Sequence, residues 1–158
     1  MANYASVVNR VEGIINNELA SARSNQGTWE WHNALQRIVS QNRFSGTPRV
    51  YGPTLITAET EVEAGAVSLF GVLVDNAGAS ENVYLAVANL TAANWTAGTS
   101  NAVMYLWAPA ATITPYVFAN GIALDTAFTI EDILGTEAGL EAGTGSAAGV
   151  TVVAVYTE

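Results

Sequence analysis

The sequence predicts a mainly β protein, an antiparallel β-sandwich of jelly-roll type that is preceded by an N-terminal α-helical arm. The spacing of apolar residues changes from three and four to two near residue 54, which marks a change from helices to strands. Short apolar runs separated by turn residues then follow, a pattern typical of sandwiches. All five basic residues lie in the first 49 positions. We therefore assign residues 1–49 to the arm and its linker and residues 50–158 to the sandwich.

The arm is predicted to be an α-α hairpin over residues 1–44. Its first helix, over residues 5–21, has apolar side chains at three- and four-residue spacing: Val7, Val8, Val11, Ile14, Ile15 and Leu19. After a turn at SNQG, Thr28 can cap a second helix. The hairpin has too few apolar residues to be stable alone, so it must pack against something. Residues 44–53, with SGTPR and YGP, are predicted to be a linker.

The sandwich is predicted to contain strands near residues 54–63, 66–75, 82–90, 101–108, 112–119, 122–130 and 150–157. Asn120-Gly121 lies between two apolar runs and predicts a hairpin turn. The stretch GTEAGLEAGTGSAAG (135–149) holds five glycines. It predicts a long loop, either a mobile surface excursion or a segment that lies against a neighbouring subunit.

The predicted strand at 66–75 is apolar on both sides, which is unusual for a strand with one wet face. Strict alternation places Phe70, Val72 and Val74 on one side, opposite Leu69 and its alternate neighbours. The second sheet covers one side. We expect a neighbouring protomer to cover the side with Phe70, Val72 and Val74.

Charge limits the classes of partner. Residues 1–49 carry five basic and three acidic residues, whereas residues 50–158 carry eleven acidic and no basic residues. Phosphate contacts need Lys or Arg, so nucleic acid is not an expected partner. The long uncharged span is interrupted by polar residues and predicts no membrane helix, so no membrane partner is expected. The sequence has no cysteine and therefore predicts no disulfide or thiolate chemistry.

Few residues suit catalysis, and we expect neither enzymatic activity nor a cofactor. His32 is the one histidine of the sequence, and no nucleophile or base partner accompanies it, so a packing or surface role is expected. Adjacent Glu131 and Asp132 would point to opposite sides of a strand. That geometry gives poor support to a paired-carboxylate hydrolase.

Two groups of oxygen ligands were weighed as sites for a hard cation. The first is a row of alternating glutamates, Glu59, Glu61 and Glu63. A solvated or edge-protecting face is the more usual role of such a row. The second is the loop DNAGASE, which carries Asp75, Asn76, Ser80 and Glu81 but lacks the spacing of an EF-hand. We predict no metal site.

The second helix of the arm is a candidate partner surface. Trp29 and Trp31 are two positions apart, so on a helix they face different directions. One can pack on the partner helix while the other reaches outward as an interface anchor. Together with Leu35 and Ile38 they form the expected partner contact of the arm.

The other two tryptophans lie in the sandwich. Trp107, in VMYLWA, is predicted to be a core residue. Trp95, in LTAANWTAG, lies near a strand end beside Asn94. It is either a local plug or, if exposed, a ring that stacks on a sugar.

A series of strand and turn motifs runs through residues 66–157. The motifs are VSLFGVLVDN, ENVYLAVAN, VMYLWAPAATITPYVFANGIALDTAFTI and the closing AAGVTVVAVYT. With them the body resembles small jelly-roll structural proteins of tailed bacteriophages. The helical arm and the lack of Lys and Arg in the body depart from the pattern of that group.

The resemblance implies a virion structural protein, most often a capsid decoration (cement) protein, and not an enzyme. It implies a homo-oligomer, with a trimer expected, that binds the major capsid protein on the capsid surface. There it would stabilise the shell by bridging adjacent subunits, after synthesis in the cytoplasm of the bacterial host. The alternative is a head-fibre or tail-associated protein that binds receptors or glycans, with Asn94 and Trp95 as the candidate contact.

Overall fold

A computed structural model of the chain describes residues 46–96, 100–134, 144–145 and 149–158. The described residues form nine strands and one short 3-10 helix, Ala92–Asn94. The strands are β1 (Pro48–Ile56), β2 (Thr60–Glu63), β3 (Val67–Asp75), β4 (Val83–Ala88), β5 (Met104–Ala108), β6 (Ile113–Leu124), β7 (Phe128–Leu134), β8 (Thr144–Gly145) and β9 (Val150–Thr157). In these parts of the chain, no helix is long and apolar enough to cross a membrane.

The strands form two antiparallel sheets. The first sheet has the order β1-β9-β3-β6. The second has the order β2-β7-β4-β5, with β8 beside the end of β7. Most connections lead from a strand of one sheet to a strand of the other, so the chain winds around a common core. The prediction of an antiparallel β-sandwich is confirmed.

The core lies between the sheets and is built from alternate residues of each strand. Val74 pairs with Val152 in the first sheet, and Leu85 pairs with Leu106 in the second. All four side chains are buried in one apolar cluster. Cross-strand partners share a face of their sheet, so these pairs identify the inner face of each sheet.

The predicted strand at 54–63 is wrong, because two strands occupy this region. β1 and β2 lie in opposite sheets, and β1 already begins at Pro48. Gly52 has a φ of 84°, and the register shifts between Tyr51 and Thr54. The YGP sequence therefore marks a bulge in an edge strand, where proline is tolerated, and not a linker.

Asn120-Gly121 does not form the predicted hairpin. Both residues lie inside β6, whose register against β3 shifts between Leu69 and Gly71. Gly121 has a φ of 72°, and a Cβ on it would lie 3.0 Å from Cε1 of Phe70. The positive φ that suggested a turn instead allows a long strand to bend at an irregularity.

The same irregularity changes which residues of β3 face the core. Val67 and Leu69 face inward, and so do Val72 and Val74. The predicted grouping of Val72 and Val74 with Phe70 on an outer face is therefore wrong. Side chains alternate with a period of two, so one register shift reverses the facing of the residues beyond it.

The predicted helical arm lies outside the described residues, and so does most of the predicted loop at 135–149. The partner contact predicted for the arm, formed by Trp29, Trp31, Leu35 and Ile38, stays a prediction, as does the packing or surface role of His32. The division into residues 1–49 and 50–158 also stays a prediction.

Candidate interaction surfaces

The outer face of the second sheet is covered by the loop that follows β4. Trp95 in this loop is 4% exposed and packs with Ala86, Ala88 and Ile133. Its indole Nε1 donates a hydrogen bond of 2.5 Å to Oε2 of Glu131, which is also buried. Burial of an indole N–H without a hydrogen-bond partner costs free energy, so this bond stabilises the buried position of Trp95. Apolar contact and one buried polar contact thus hold the loop on the sheet.

This packing corrects the glycan-site expectation for Trp95. A ring that stacks on a sugar needs an exposed face, and the indole of Trp95 is buried against the sheet. Of the two interpretations left open by the sequence, the structure supports the local plug. Asn94 is exposed, but its Nδ2 donates to Oγ1 of Thr91 at 2.8 Å and closes the short 3-10 helix.

Trp107, predicted to be a core residue, is 50% exposed. It lies in β5, the edge strand of the second sheet, and pairs with Tyr84 on the outer face. The hydroxyl of Tyr116 donates to the Trp107 carbonyl, which ties this edge to the first sheet. Val103, just before the strand, is also exposed. An exposed tryptophan at a sheet edge is typical of a residue that anchors a protein contact.

The outer face of the first sheet carries a set of buried apolar residues. Leu73 pairs with Val153, and Gly71 pairs with Val155, on the side that faces away from the second sheet. Leu73, Val153 and Val155 have no exposed surface, and Phe70 is 2% exposed. None of the four belongs to the cluster between the sheets. We call Phe70, Leu73, Val153 and Val155 the outer patch.

The expectation that a neighbouring protomer covers Val72 and Val74 is wrong. Val72 and Val74 face the second sheet and are buried in the core. Phe70 is buried as well, and its contact with a neighbouring protomer stays a prediction. The apolar residues on this side of the sheet are therefore those of the outer patch.

The three alternating glutamates do not gather around one point. Glu59 precedes β2, and a register shift between Glu61 and Glu63 breaks the alternation. Oε2 of Glu61 accepts from the N–H of Ala92 at 3.0 Å. Oε2 of Glu63 accepts from the Tyr156 hydroxyl at 3.4 Å. Among the described residues, no group of three His, Cys, Asp or Glu side chains could hold a metal ion.

In the loop DNAGASE, the side chain of Asn76 joins two loops. Its Nδ2 donates to the carbonyl of Glu81 at 2.8 Å and to that of Ala108 at 3.0 Å. Oδ1 of Asp75 accepts from the N–H of Ala77 at 2.9 Å. A cleft of about 210 Å³ opens beside Asp75 and Asn76. Its lining offers one carboxylate, fewer than a hard cation usually requires.

Glu131 and Asp132 lie on opposite faces of β7. Glu131 contacts Trp95 on the outer face, whereas Asp132 pairs with Leu85 on the core side and is fully buried. They cannot flank one scissile bond. Sequence reasoning missed the role of Glu131 because its partner Trp95 lies 36 positions away. The signal in the sequence was the position of Glu131 itself, because an acidic residue within an apolar strand indicates a buried polar contact.

Two tyrosines have altered acidity. Burial raises the pKa of Tyr156, and the Glu63 carboxylate adds to the increase. The ring of Tyr156 also packs edge-on against Phe128, with the centroids 6.0 Å apart. Burial raises the pKa of Tyr116 as well, although its hydrogen bond to the Trp107 carbonyl opposes the change. Both phenols are therefore neutral near pH 7 and act as hydrogen-bond donors.

Comparison with known proteins gives no family assignment. The chain matches no protein-family model, no curated protein and no solved structure. The function is therefore argued from the residues and their geometry.

Proposed function

We propose that this chain is a virion structural protein of a tailed bacteriophage, a capsid decoration protein that stabilises the shell. The observation that carries the proposal is the strand order. From the orders β1-β9-β3-β6 and β2-β7-β4-β5 we infer a jelly roll, in which eight strands wind as two Greek keys. The resemblance of residues 66–157 to phage jelly-roll proteins implies the same winding.

The surface supports a role that depends on contact. Charged residues make up 12% of the sequence, against about 25% in an ordinary soluble domain. Trp107 and Val103 are exposed at the β5 edge, which is where a capsid subunit or a sister copy can bind. We expect the predicted arm to supply a second contact through Trp29 and Trp31.

Many small contacts acting together produce the stabilising effect. Each apolar contact contributes about 25 cal/mol per Å² of buried area, before the costs of association. A homo-oligomer, with a trimer expected, engages several copies of the major capsid protein at once, so the contacts reinforce one another through avidity. Adjacent subunits of the shell are thereby held together on the capsid surface.

The test measures the mass of the full chain in solution and its co-sedimentation with empty shells of the phage that encodes it. We expect a stable oligomer that saturates the shells at a fixed number of copies. Trp107→Ala should weaken this binding by about tenfold or more, as expected for an interface anchor. Leu55→Ala is the matched control, because Leu55 is exposed elsewhere on the sandwich.

An oligomer that does not bind shells would contradict the proposal and favour the fibre or receptor-binding alternative. That alternative would then need a different aromatic contact, since Trp95 is buried.

A further inference from the structure

We propose that Asn120 is a modification site, at which the chain loses ammonia without an enzyme and gains one negative charge. The reaction is attack by the backbone nitrogen of Gly121 on the side-chain amide of Asn120. The inference goes beyond the proposed function and does not rest on it. It rests on three features of β6: an Asn-Gly pair, the exposure of Asn120 and an interrupted pairing with β3.

The reaction begins when the backbone nitrogen of Gly121, after loss of its proton, forms a bond with Cγ of Asn120. The bond from Cγ to Nδ2 breaks, and Nδ2 takes a proton from water and leaves as ammonia. This closes a five-membered succinimide ring. Water then opens the ring at either of its two carbonyls, so residue 120 becomes aspartate or isoaspartate. Each product carries a carboxylate, and the formal net charge of the chain changes from −9 to −9 − 1 = −10.

Glycine is the residue that hinders this attack least, because it has no Cβ beside the attacking nitrogen. Asn120-Gly121 is the one Asn-Gly pair of the sequence. The fold also requires glycine at this position. Gly121 has a φ of 72°, and a Cβ on it would lie 3.0 Å from Cε1 of Phe70. The bend of β6 therefore requires the same residue that makes Asn120 reactive.

The backbone at this pair lies outside the regular ladder of the sheet. β3 pairs with β6 at Gly71 and Val117 and again at Leu69 and Ile122, and residues 118–121 have no partner in this register. β6 is also an edge strand of the first sheet. Ring closure requires the nitrogen of Gly121 to turn toward Cγ of Asn120. Regular pairing would oppose that movement on both sides of a central strand, and it is interrupted here.

The side chain of Asn120 is exposed and is not held by a hydrogen bond. Four other asparagine side chains take part in hydrogen bonds, namely Asn76, Asn82, Asn89 and Asn94. Within the parts of the chain that the structure describes, no such bond holds the side chain of Asn120 or of Asn101. Both of these residues are exposed. Their amides are therefore accessible to the attacking nitrogen and to water.

The chain supplies two internal controls. Asn101 is exposed but precedes Ala102, so it isolates the effect of glycine. Asn76 also precedes an alanine but is only 2% exposed. Its Nδ2 donates to the Ala108 carbonyl at 3.0 Å, and the N–H of Ala77 donates to Oδ1 of Asp75 at 2.9 Å. Both reacting groups are thus engaged at Asn76, which isolates the effect of the fold.

The test incubates the full chain at mildly alkaline pH and follows conversion at each asparagine by peptide mass spectrometry. Pepsin at acid pH stops the reaction and cuts residues 50–158, which have no Lys or Arg for trypsin. Methylation by an isoaspartate-specific methyltransferase separates isoaspartate from aspartate. The same incubation in guanidinium chloride gives the rates of the unfolded chain. Asn120→Gln and its matched control Asn101→Gln are followed by isoelectric focusing.

We expect Asn120 to convert at least about tenfold faster than Asn101, which corresponds to a barrier lower by about 1.4 kcal/mol. Its rate in the folded chain should be similar to its rate in the unfolded chain, whereas Asn76 should convert only when unfolded. Isoaspartate should be among the products, and the rate should rise with pH because the attacking nitrogen must lose its proton. Asn120→Gln should remove the first change in charge, since glutamine would have to close a larger ring. Asn101→Gln should retain it.

Three results would overturn the inference. The first is conversion of Asn120 no faster than that of Asn101. The second is a rate at Asn120 that is much lower in the folded than in the unfolded chain, which would mean that β6 holds the backbone against ring closure. The third is a first change in charge that persists in Asn120→Gln.

Discussion

The two sheets of this sandwich bury their outer faces by different means. The second sheet is covered by a local loop, in which Trp95 follows β4 closely and contacts Glu131 at 2.5 Å. The first sheet carries the outer patch on β3 and β9, whose four side chains are all apolar and buried. Trp95 combines an apolar contact with a buried hydrogen bond, whereas the outer patch contributes through apolar burial. Mutations on the two outer faces should therefore have different effects on the free energy of unfolding.

The largest expected effect is that of Trp95→Ala, which removes the local cover and leaves Glu131 buried without this donor. We expect a loss of about 3–5 kcal/mol in the free energy of unfolding, as for other buried tryptophans. Trp107→Ala is the control, and its loss should stay within about 1 kcal/mol because the ring is half exposed. Urea unfolding of both variants measures the difference. Equal losses would mean that Trp95 does not hold the loop in solution.

The next effect concerns the outer patch. Val153→Ala should cost about 2 kcal/mol if its side chain is fully covered. Leu55→Ala, at the exposed end of the same face, should cost within about 0.5 kcal/mol. The midpoints of urea unfolding give both values, provided that the slope with denaturant is unchanged. A Val153→Ala loss as small as that of Leu55→Ala would show that the side chain of Val153 is not buried in solution.

A smaller effect is expected at Gly121, where β6 bends against Phe70 of the outer patch. Gly121→Ala should cost about 1–2 kcal/mol, because φ is positive and the new Cβ would press on the Phe70 ring. Gly65→Ala is the control, since a Cβ there would meet nothing within 4 Å. Thermal unfolding compares the two. A Gly121→Ala variant as stable as Gly65→Ala would show that the bend adapts without strain.

The smallest effect is a pH dependence on the inner face of the first sheet. The raised pKa of Tyr156 means that the fold favours the neutral phenol. Its contribution to stability is therefore complete below the unfolded-state value of about 10. It is lost as the pH rises through the folded-state value. From pH 8 upward, the free energy of unfolding should fall less steeply for Tyr156→Phe than for the parent chain. Parallel curves would contradict a raised pKa of Tyr156 in the folded state.

Regular alternation made several strands predictable from the sequence. The predictions at 66–75 and 150–157 agree within one residue with β3 and β9. Prediction failed where glycine and proline mark bulges instead of turns, as at Gly52 and Gly121. Both kinds of position require the same positive φ. Only the cross-strand partners, which lie far away in the sequence, decide between them.

The facing of individual side chains was less predictable than the strands themselves. Trp107 lies in an apolar run and is exposed, whereas Trp95 lies in a polar loop and is buried. The burial of Trp95 depends on Glu131, which belongs to a distant strand. Val72 and Val74 face the core because of a shift in pairing with β6. Neither a distant partner nor a register shift leaves a local trace in the pattern of apolar residues.

The ion pair between Arg49 and Glu158 lies at one corner of the first sheet, with an N–O distance of 2.5 Å. It has a mechanical consequence. β1 begins where β9 ends, so a pulling force between residues 46 and 158 opens the ladder from Pro48 and Thr157 inward. The exposed ion pair, which contributes only about 0–1 kcal/mol, would break first. The backbone hydrogen bonds between β1 and β9 would then break one after another. A tether that must resist tension should therefore attach at other points of the sandwich, where many bonds bear the load together.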